Sequence, residues 1–164
     1  MTASALRRIA PWLALAAILA FADHASKSAI SAHLRNGEVR EITAFFNLVL
    51  AYNRGAAFSF LSDAGGWQRL LFIGIAVVAT AVIVVMLMRH SGERVFPAGL
   101  ALILGGALGN LWDRIALGYV VDFLDFHAFG WHFWAFNLAD SAITVGAGLL
   151  ILDGLRPAGA AQKA

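Results

Sequence analysis

Four aspartates, Asp113, Asp122, Asp125 and Asp140, fall between Gly105 and Ser141 together with Asn110, Arg114 and Asn137, in a chain that is otherwise largely hydrocarbon. Ionisable groups beside apolar helices cost free energy, so a cluster of them marks a functional site. Two carboxylates about 4 Å apart at an effective dielectric near 20 repel by about 4 kcal/mol, or roughly three pKa units. One then holds a proton while the other stays ionised. Such a pair can activate water as a base and protonate a carbonyl oxygen or leaving amine as an acid. Asp140, at the start of an apolar run, and Asp122, in the Val120-Val121-Asp122-Phe123 run before it, are the best-placed pair. Each also has a plainer reading. Asp140 with Asn137 has the spacing of a helix cap, and Asp122 is a solvated loop acid if no partner meets it.

Other chemistries fit less well. Asp122, Asp125, His127 and His132 offer metal-type ligands, but their spacing matches no HExxH helix. Lys27 with Ser59 or Ser141 would suit a serine hydrolase, yet Asp23 stands four residues before Lys27, and an ion pair between them would keep the lysine protonated. The absence of cysteine removes thiolate chemistry and disulfides. Intramembrane Asp and His residues also form proton or ion relays, so a transporter or assembly factor is the alternative; the missing duplicated half makes it less natural. Positive charge is scattered rather than striped, which leaves nucleic acid without a binding face. Neither a G-x-G-x-x-G nor a Walker lysine motif is present. Two acids that divide the roles need neither metal nor cofactor, and none is expected.

The elements that must position these residues are membrane spans. Hydrophobic content of 60% and a mean hydropathy of +0.76 take the chain out of the ordinary soluble class. Apolar runs predict four spans, at about 11–31, 70–88, 97–112 and 139–155, in a single membrane-embedded domain covering residues 1–164. Ala20-Phe21-Ala22 before Asp23 resembles a signal-peptide cleavage site, but helix-compatible sequence continues to about Leu34, which favours an uncleaved first span. Residues 35–67 are mixed polar, and Val39 to Tyr52 suits one or two strands. Asn53-Arg54-Gly55 supplies a turn signal. Gly105 and Gly109 form a GxxxG face for close helix approach.

Four spans with both ends on one side carry Asp23, Asn53, Asn110, Asp113, Arg114, Asp122, Asn137 and Asp140 to the same membrane face. Arg7, Arg8, Arg89, Arg94, Arg156 and Lys163 fall on the other, which is therefore expected to be cytoplasmic.

Five blocks appear in order: Asp23-x3-Lys27; Asn53-x-Gly55-Ala56-Ala57-Phe58; Gly105-Gly106-x2-Gly109-Asn110-x2-Asp113-Arg114; Val120-Val121-Asp122-Phe123; and Phe136-Asn137-x-Ala139-Asp140-Ser141. With these, nearly the whole chain resembles the lipoprotein signal peptidase family, also called signal peptidase II. The resemblance implies an all-α integral membrane protein of four transmembrane helices with a small extracytoplasmic β-cradle between the first two. It implies an aspartic endopeptidase of the bacterial inner membrane, cutting prolipoproteins just before a lipid-modified cysteine, with its site near the extracytoplasmic face and both termini cytoplasmic. Asp122 and Asp140 would be the catalytic dyad. Asn53, Gly55, Asn110, Arg114 and Asn137 would shape the substrate site, with Asp23, Lys27 and Asp113 in support. Membrane lipid and the lipidated precursor are the expected partners, and the chain is expected to act as a monomer. His24 stands where the family often has Gln after the first Asp.

Overall fold

The computed structural model describes residues 3–55, 66–90 and 93–155. In chain order the elements are α1 (Ala3–His33), β1 (Val39–Thr43), β2 (Phe46–Asn53), α2 (Trp67–Arg89), α3 (Val95–Ala116), β3 (Val120–Ala128), β4 (Trp131–His132) and α4 (Leu138–Gly154). Ala56, Ala57, Phe58 and Ser59 lie outside the described residues, as do Arg156 and Lys163.

Among the described residues three helices, α1, α2 and α3, are long and apolar enough to cross a membrane. α4 has 17 residues, at the lower limit for spanning a hydrocarbon core. α1 passes through Ala20-Phe21-Ala22 without a break, and its 31 residues measure roughly 46 Å, about half as long again as a hydrocarbon core is thick. Its far end therefore projects beyond the bundle and gives the sheet something to pack on: Leu34 forms a buried cluster with Leu50 and Val121, flanked by Ile30, Leu48 and Tyr119.

α3 is the hub and packs on all three other helices. Glycine makes two of these approaches possible. A Cβ at Gly105 would lie 2.8 Å from the Ala16 carbonyl oxygen of α1, and one at Gly106 would overlap the Ala139 carbonyl oxygen of α4. The small-residue face therefore serves α1 and α4 together. Beside these approaches Ile9, Ala16, Ile83, Leu87, Leu100 and Leu104 form the apolar core. Most of α2, by contrast, presents apolar side chains outward, with only Gln68, Ile83 and Leu87 buried.

The helix boundaries depart from the sequence expectation in an instructive way. The third span was expected to stop at 112, yet α3 continues through Asp113 and Arg114 to Ala116. Polar residues end a span only when nothing inside the protein satisfies them, and here Lys27 meets Asp113 while Arg114 reaches the Gly55 carbonyl.

The sheet is antiparallel in the order β1-β2-β3-β4. Strands in residues 39–52 were expected; β3 and β4 were not, and Asp122 had a plainer reading as a solvated loop acid. Instead Asp122 pairs with Ala51 in the β2–β3 ladder and is 3% exposed. Val120, Val121, Asp122 and Phe123 are buried in succession, so the strand shows no alternation of polar and apolar residues to read. Gly118, at φ 83°, turns the chain from α3 into β3.

Candidate active site

α4 begins with a reciprocal cap. Asn137 Oδ1 accepts the Asp140 backbone N–H at 2.9 Å, and Asp140 Oδ2 accepts the Asn137 backbone N–H at 3.3 Å. The cap fixes the Asp140 carboxylate at the helix start, and its second oxygen, Oδ1, accepts Asn110 Nδ2 of α3 at 2.8 Å. Because the Asn137 carbonyl oxygen is used in the cap, its amide nitrogen points the other way, towards Asp122 Oδ1 at 2.7 Å. The same nitrogen lies 3.2 Å from the Val121 carbonyl oxygen and from Asn110 Oδ1. Asn53, at the end of β2, donates to the other Asp122 oxygen at 3.0 Å. Two asparagines thus tie both carboxylates into one hydrogen-bonded unit.

Behind this unit sits a buried charge cluster. Lys27 Nζ lies 2.7 Å from Asp23 Oδ2, 3.0 Å from Asp113 Oδ2 and 2.9 Å from Asn110 Oδ1. The sequence suggested a local ion pair between Asp23 and Lys27, and the structure adds a second acid and seals all three groups inside the protein. Asp23 Oδ1 accepts the Ala139 N–H of α4 and Asp113 Oδ2 the Val121 N–H of β3, so one lysine joins α1, α3, α4 and the sheet. With Asp23, Asp113 and Asn110 all held on its ammonium, Lys27 is engaged in the cluster and does not face the two carboxylates. Ser141 Oγ donates to the Asn137 carbonyl and is likewise spent.

In front of the two carboxylates opens a cavity of about 540 Å³, lined by Asp122 and Asp140 with Asn53, Asn110 and Arg114 on the polar side. Val120, Phe133, Trp134, Phe136 and Ile143 form its apolar wall. Arg114 spans the rim, donating to the Gly55 carbonyl at 3.0 Å and to the Asn110 carbonyl at 3.3 Å, with its guanidinium 5.1 Å from the Phe72 ring centre. Gly55 is held in turn by its own N–H on Asn53 Oδ1 at 2.9 Å. Burial, and then the negative charge of Asp140, push the Asp122 carboxyl up to about 7, against the opposing hydrogen bonds from Asn53 and Asn137. A carboxyl that titrates near neutrality beside a second carboxylate is the asymmetry that divides acid from base.

Of the residues expected at the site, Asp23, Lys27, Asn53, Gly55, Asn110, Asp113, Arg114, Asp122, Asn137 and Asp140 all belong to this connected arrangement. Asp125 does not. Its three-residue offset from Asp122 along β3 puts it on the opposite face, where it is buried and accepts from Asn47 Nδ2 at 2.9 Å and pairs with His132 Nδ1 at 2.9 Å. His127 stacks on His132 and meets Asn47. The four metal-type candidates are therefore divided, with Asp122 on one face of β3 and Asp125, His127 and His132 of β4 on the other, and among the described residues no three such side chains are grouped to hold an ion. His24 lies outside the cluster, edge-on to Trp112. The sequence reading missed the aromatic wall, although Phe133-Trp134-Ala135-Phe136 immediately before Asn137 carried a signal for it.

A profile of the family described as Signal peptidase (SPase) II matches residues 15–156. The chain belongs to that family. It is 57% identical over 155 residues to the lipoprotein signal peptidase of Paraburkholderia phytofirmans, covering 94% of this chain and 90% of that one. It is 59% identical over 148 residues to that of Burkholderia multivorans, covering 90% and 89%. A bacterial membrane enzyme solved by the in meso method at 2.3 Å superposes with a TM-score of 0.81 at 30% identity, over 90% of this chain and 88% of the other. A second such structure, at 1.9 Å, gives 0.79 at 30% identity, over 90% and 94%. By family the chain is a membrane-bound aspartic endopeptidase of the lipoprotein signal peptidase type.

Proposed function

We propose that Asp122 and Asp140 are the catalytic dyad of this signal peptidase and that it cuts lipid-modified prolipoproteins just before the modified cysteine. The observation that carries the assignment is that two carboxylates, joined through Asn110 and Asn137, face one cavity with Asp122 titrating at about 7. Asp140, ionised, takes a proton from the attacking water, while Asp122 gives its proton to the substrate carbonyl oxygen. The tetrahedral diol then collapses: Asp140 passes its proton to the leaving nitrogen, the carbon–nitrogen bond breaks, and Asp122 recovers a proton from one hydroxyl. Both acids return to their starting states, and neither metal nor cofactor enters the balance.

Asn53, Gly55, Asn110, Arg114 and Asn137 position the dyad and the peptide, and Asp23, Lys27 and Asp113 hold the helices that carry them. The whole chain is read as one membrane-embedded peptidase domain of the bacterial inner membrane, acting as a monomer. α4 is its fourth span, the sheet lies on the extracytoplasmic side, and both termini are cytoplasmic. The short basic segment between α2 and α3, with Arg89 and Arg94, supports this orientation. The apolar wall of the cavity suits acyl chains, whose burial is worth about 0.8 kcal/mol per CH₂.

The test is product analysis. Purified chain with a diacylglyceryl-modified precursor should release a product whose first residue is the lipidated cysteine, and the unmodified precursor should be a poor substrate. Equal cleavage of both precursors, or a cut elsewhere, would overturn the substrate assignment.

A further inference from the structure

The β3–β4 hairpin ends in a feature that the peptidase chemistry does not use. Its turn residues, Phe129 and Gly130, have φ of 52° and 77°. Asn-Gly meets such a two-residue turn with little strain, whereas a phenylalanine there crowds its own backbone. Phe129 is nevertheless fully exposed, at 109%, and Trp131 is 73% exposed. From Phe126 to Asn137 there is no Asp, Glu, Lys or Arg. A strained, uncharged, aromatic tip is the opposite of what a water-facing turn selects.

The placement of the hairpin says what covers it. Phe133 and Trp134, on the returning leg, line the same cavity as Ile143, Thr144 and Val145 in the second turn of α4. The leg therefore runs alongside that helix rather than beyond its end. Val145 is exposed on α4 beside this leg, and Trp112 and Ile115 are exposed near the same end of α3 on its α1 side, so apolar side chains face outward around the bundle at this level. Trp and other aromatics concentrate where hydrocarbon meets headgroups.

We propose that the Phe129–Trp131 tip is a membrane anchor that dips into the headgroup–acyl boundary of the leaflet beside the active site. Lipid then fixes the returning leg, and with it the Phe133–Phe136 wall of the cavity. The proposal rests on the reading that the sheet end of the bundle lies at a membrane face.

Because the chain has no cysteine, a nitroxide can be placed singly by Phe129→Cys, with Val78→Cys on the apolar face of α2 and Glu41→Cys on β1 as references. In phosphatidylethanolamine–phosphatidylglycerol vesicles, collisions with oxygen should exceed those with a nickel chelate at 129 and 78, and the order should reverse at 41. Nickel-dominated collisions at 129 would overturn the proposal. So would spin–spin broadening at 129 that survives dilution with lipid, which would show a second copy on the tip. Phe129→Asn separates anchoring from turn-making: it should raise thermal stability in detergent, yet raise KM for precursor in vesicles several-fold while leaving the detergent rate unchanged. A stability gain with no change of KM in vesicles would mean that the tip serves only the turn. Wild-type chain that fails to cleave precursor would count against the peptidase reading instead, since the label reports depth without turnover.

Discussion

Asn110 donates to the Asp140 carboxylate at 2.8 Å in an orientation that Lys27 imposes, because the Asn110 carbonyl oxygen accepts from the Lys27 ammonium at 2.9 Å. A flipped amide would place its NH₂ against the ammonium and lose both bonds. Lys27 acts at a distance in this way, orienting the Asp140 carboxylate, which it does not touch.

Lys27→Met should therefore do two things. It strands Asp23 and Asp113 as uncompensated buried acids, for which a loss of about 3–5 kcal/mol is expected. It also frees the Asn110 amide, so cleavage by the surviving folded fraction should fall as well. Unfolding in detergent, with activity normalised to folded protein, measures both effects. An unchanged unfolding midpoint would show that the charge cluster does not hold the helices together.

The pH dependence follows from Asp122, whose carboxyl is raised from an ordinary 3.8 to about 7. Between those values the folded state binds more protons than the unfolded state, so this group makes stability fall as pH rises from about 4 to about 7, with its full penalty above that. In the proposed mechanism turnover needs the Asp122 proton, so kcat/KM should decline above about pH 7 with the slope of a single proton. The Asn53 hydrogen bond favours the ionised form, so Asn53→Ala should move that decline to higher pH. A shift to lower pH would reverse the assignment of the proton.

Gly106→Ala should lower stability by about 1–3 kcal/mol and reduce cleavage, because its Cβ would push α3 away from the Ala139 carbonyl at the base of α4, the helix that carries Asp140. Gly148→Ala is the control: it has open space around it and a better helix former in place of glycine. Thermal melts of the two variants decide this, and equal melting temperatures would remove close α3–α4 approach as a requirement.

Orientation can be read with an impermeant thiol reagent on intact cells. Glu41→Cys on β1 should label from outside, whereas Arg89→Cys should label only after the cells are opened. Both positions labelling from the same side would contradict the four-span arrangement.

Much of this was legible in the residues, and what was hidden has identifiable physical causes. The Asn137–Asp140 cap and the Asp23–Lys27 pair are local, spaced three and four residues apart, and spacing reveals such contacts. The β3 strand was hidden because burial on both faces erases its alternation, and the extension of α3 because its stabilising partners, Lys27 and the Gly55 carbonyl, lie far away in sequence. The setting of Asp125 was hidden for the same reason, since its partner Asn47 stands on another strand.

The most direct test of the account compares precursor cleavage by purified Asp122→Asn, Asp140→Asn, the double variant and Asp125→Asn. Asparagine keeps the size of aspartate but cannot carry the proton, so each dyad variant should be folded, able to bind precursor and without turnover. The double variant should be hardly worse than either single one, because residues that act as a unit lose their joint effect together. Asp125→Asn should keep most of its turnover and lose only some stability, since it breaks the His132 pair on the far face of the strand. Appreciable turnover in either dyad variant, or none in Asp125→Asn with the protein still folded, would contradict the assignment of Asp122 and Asp140.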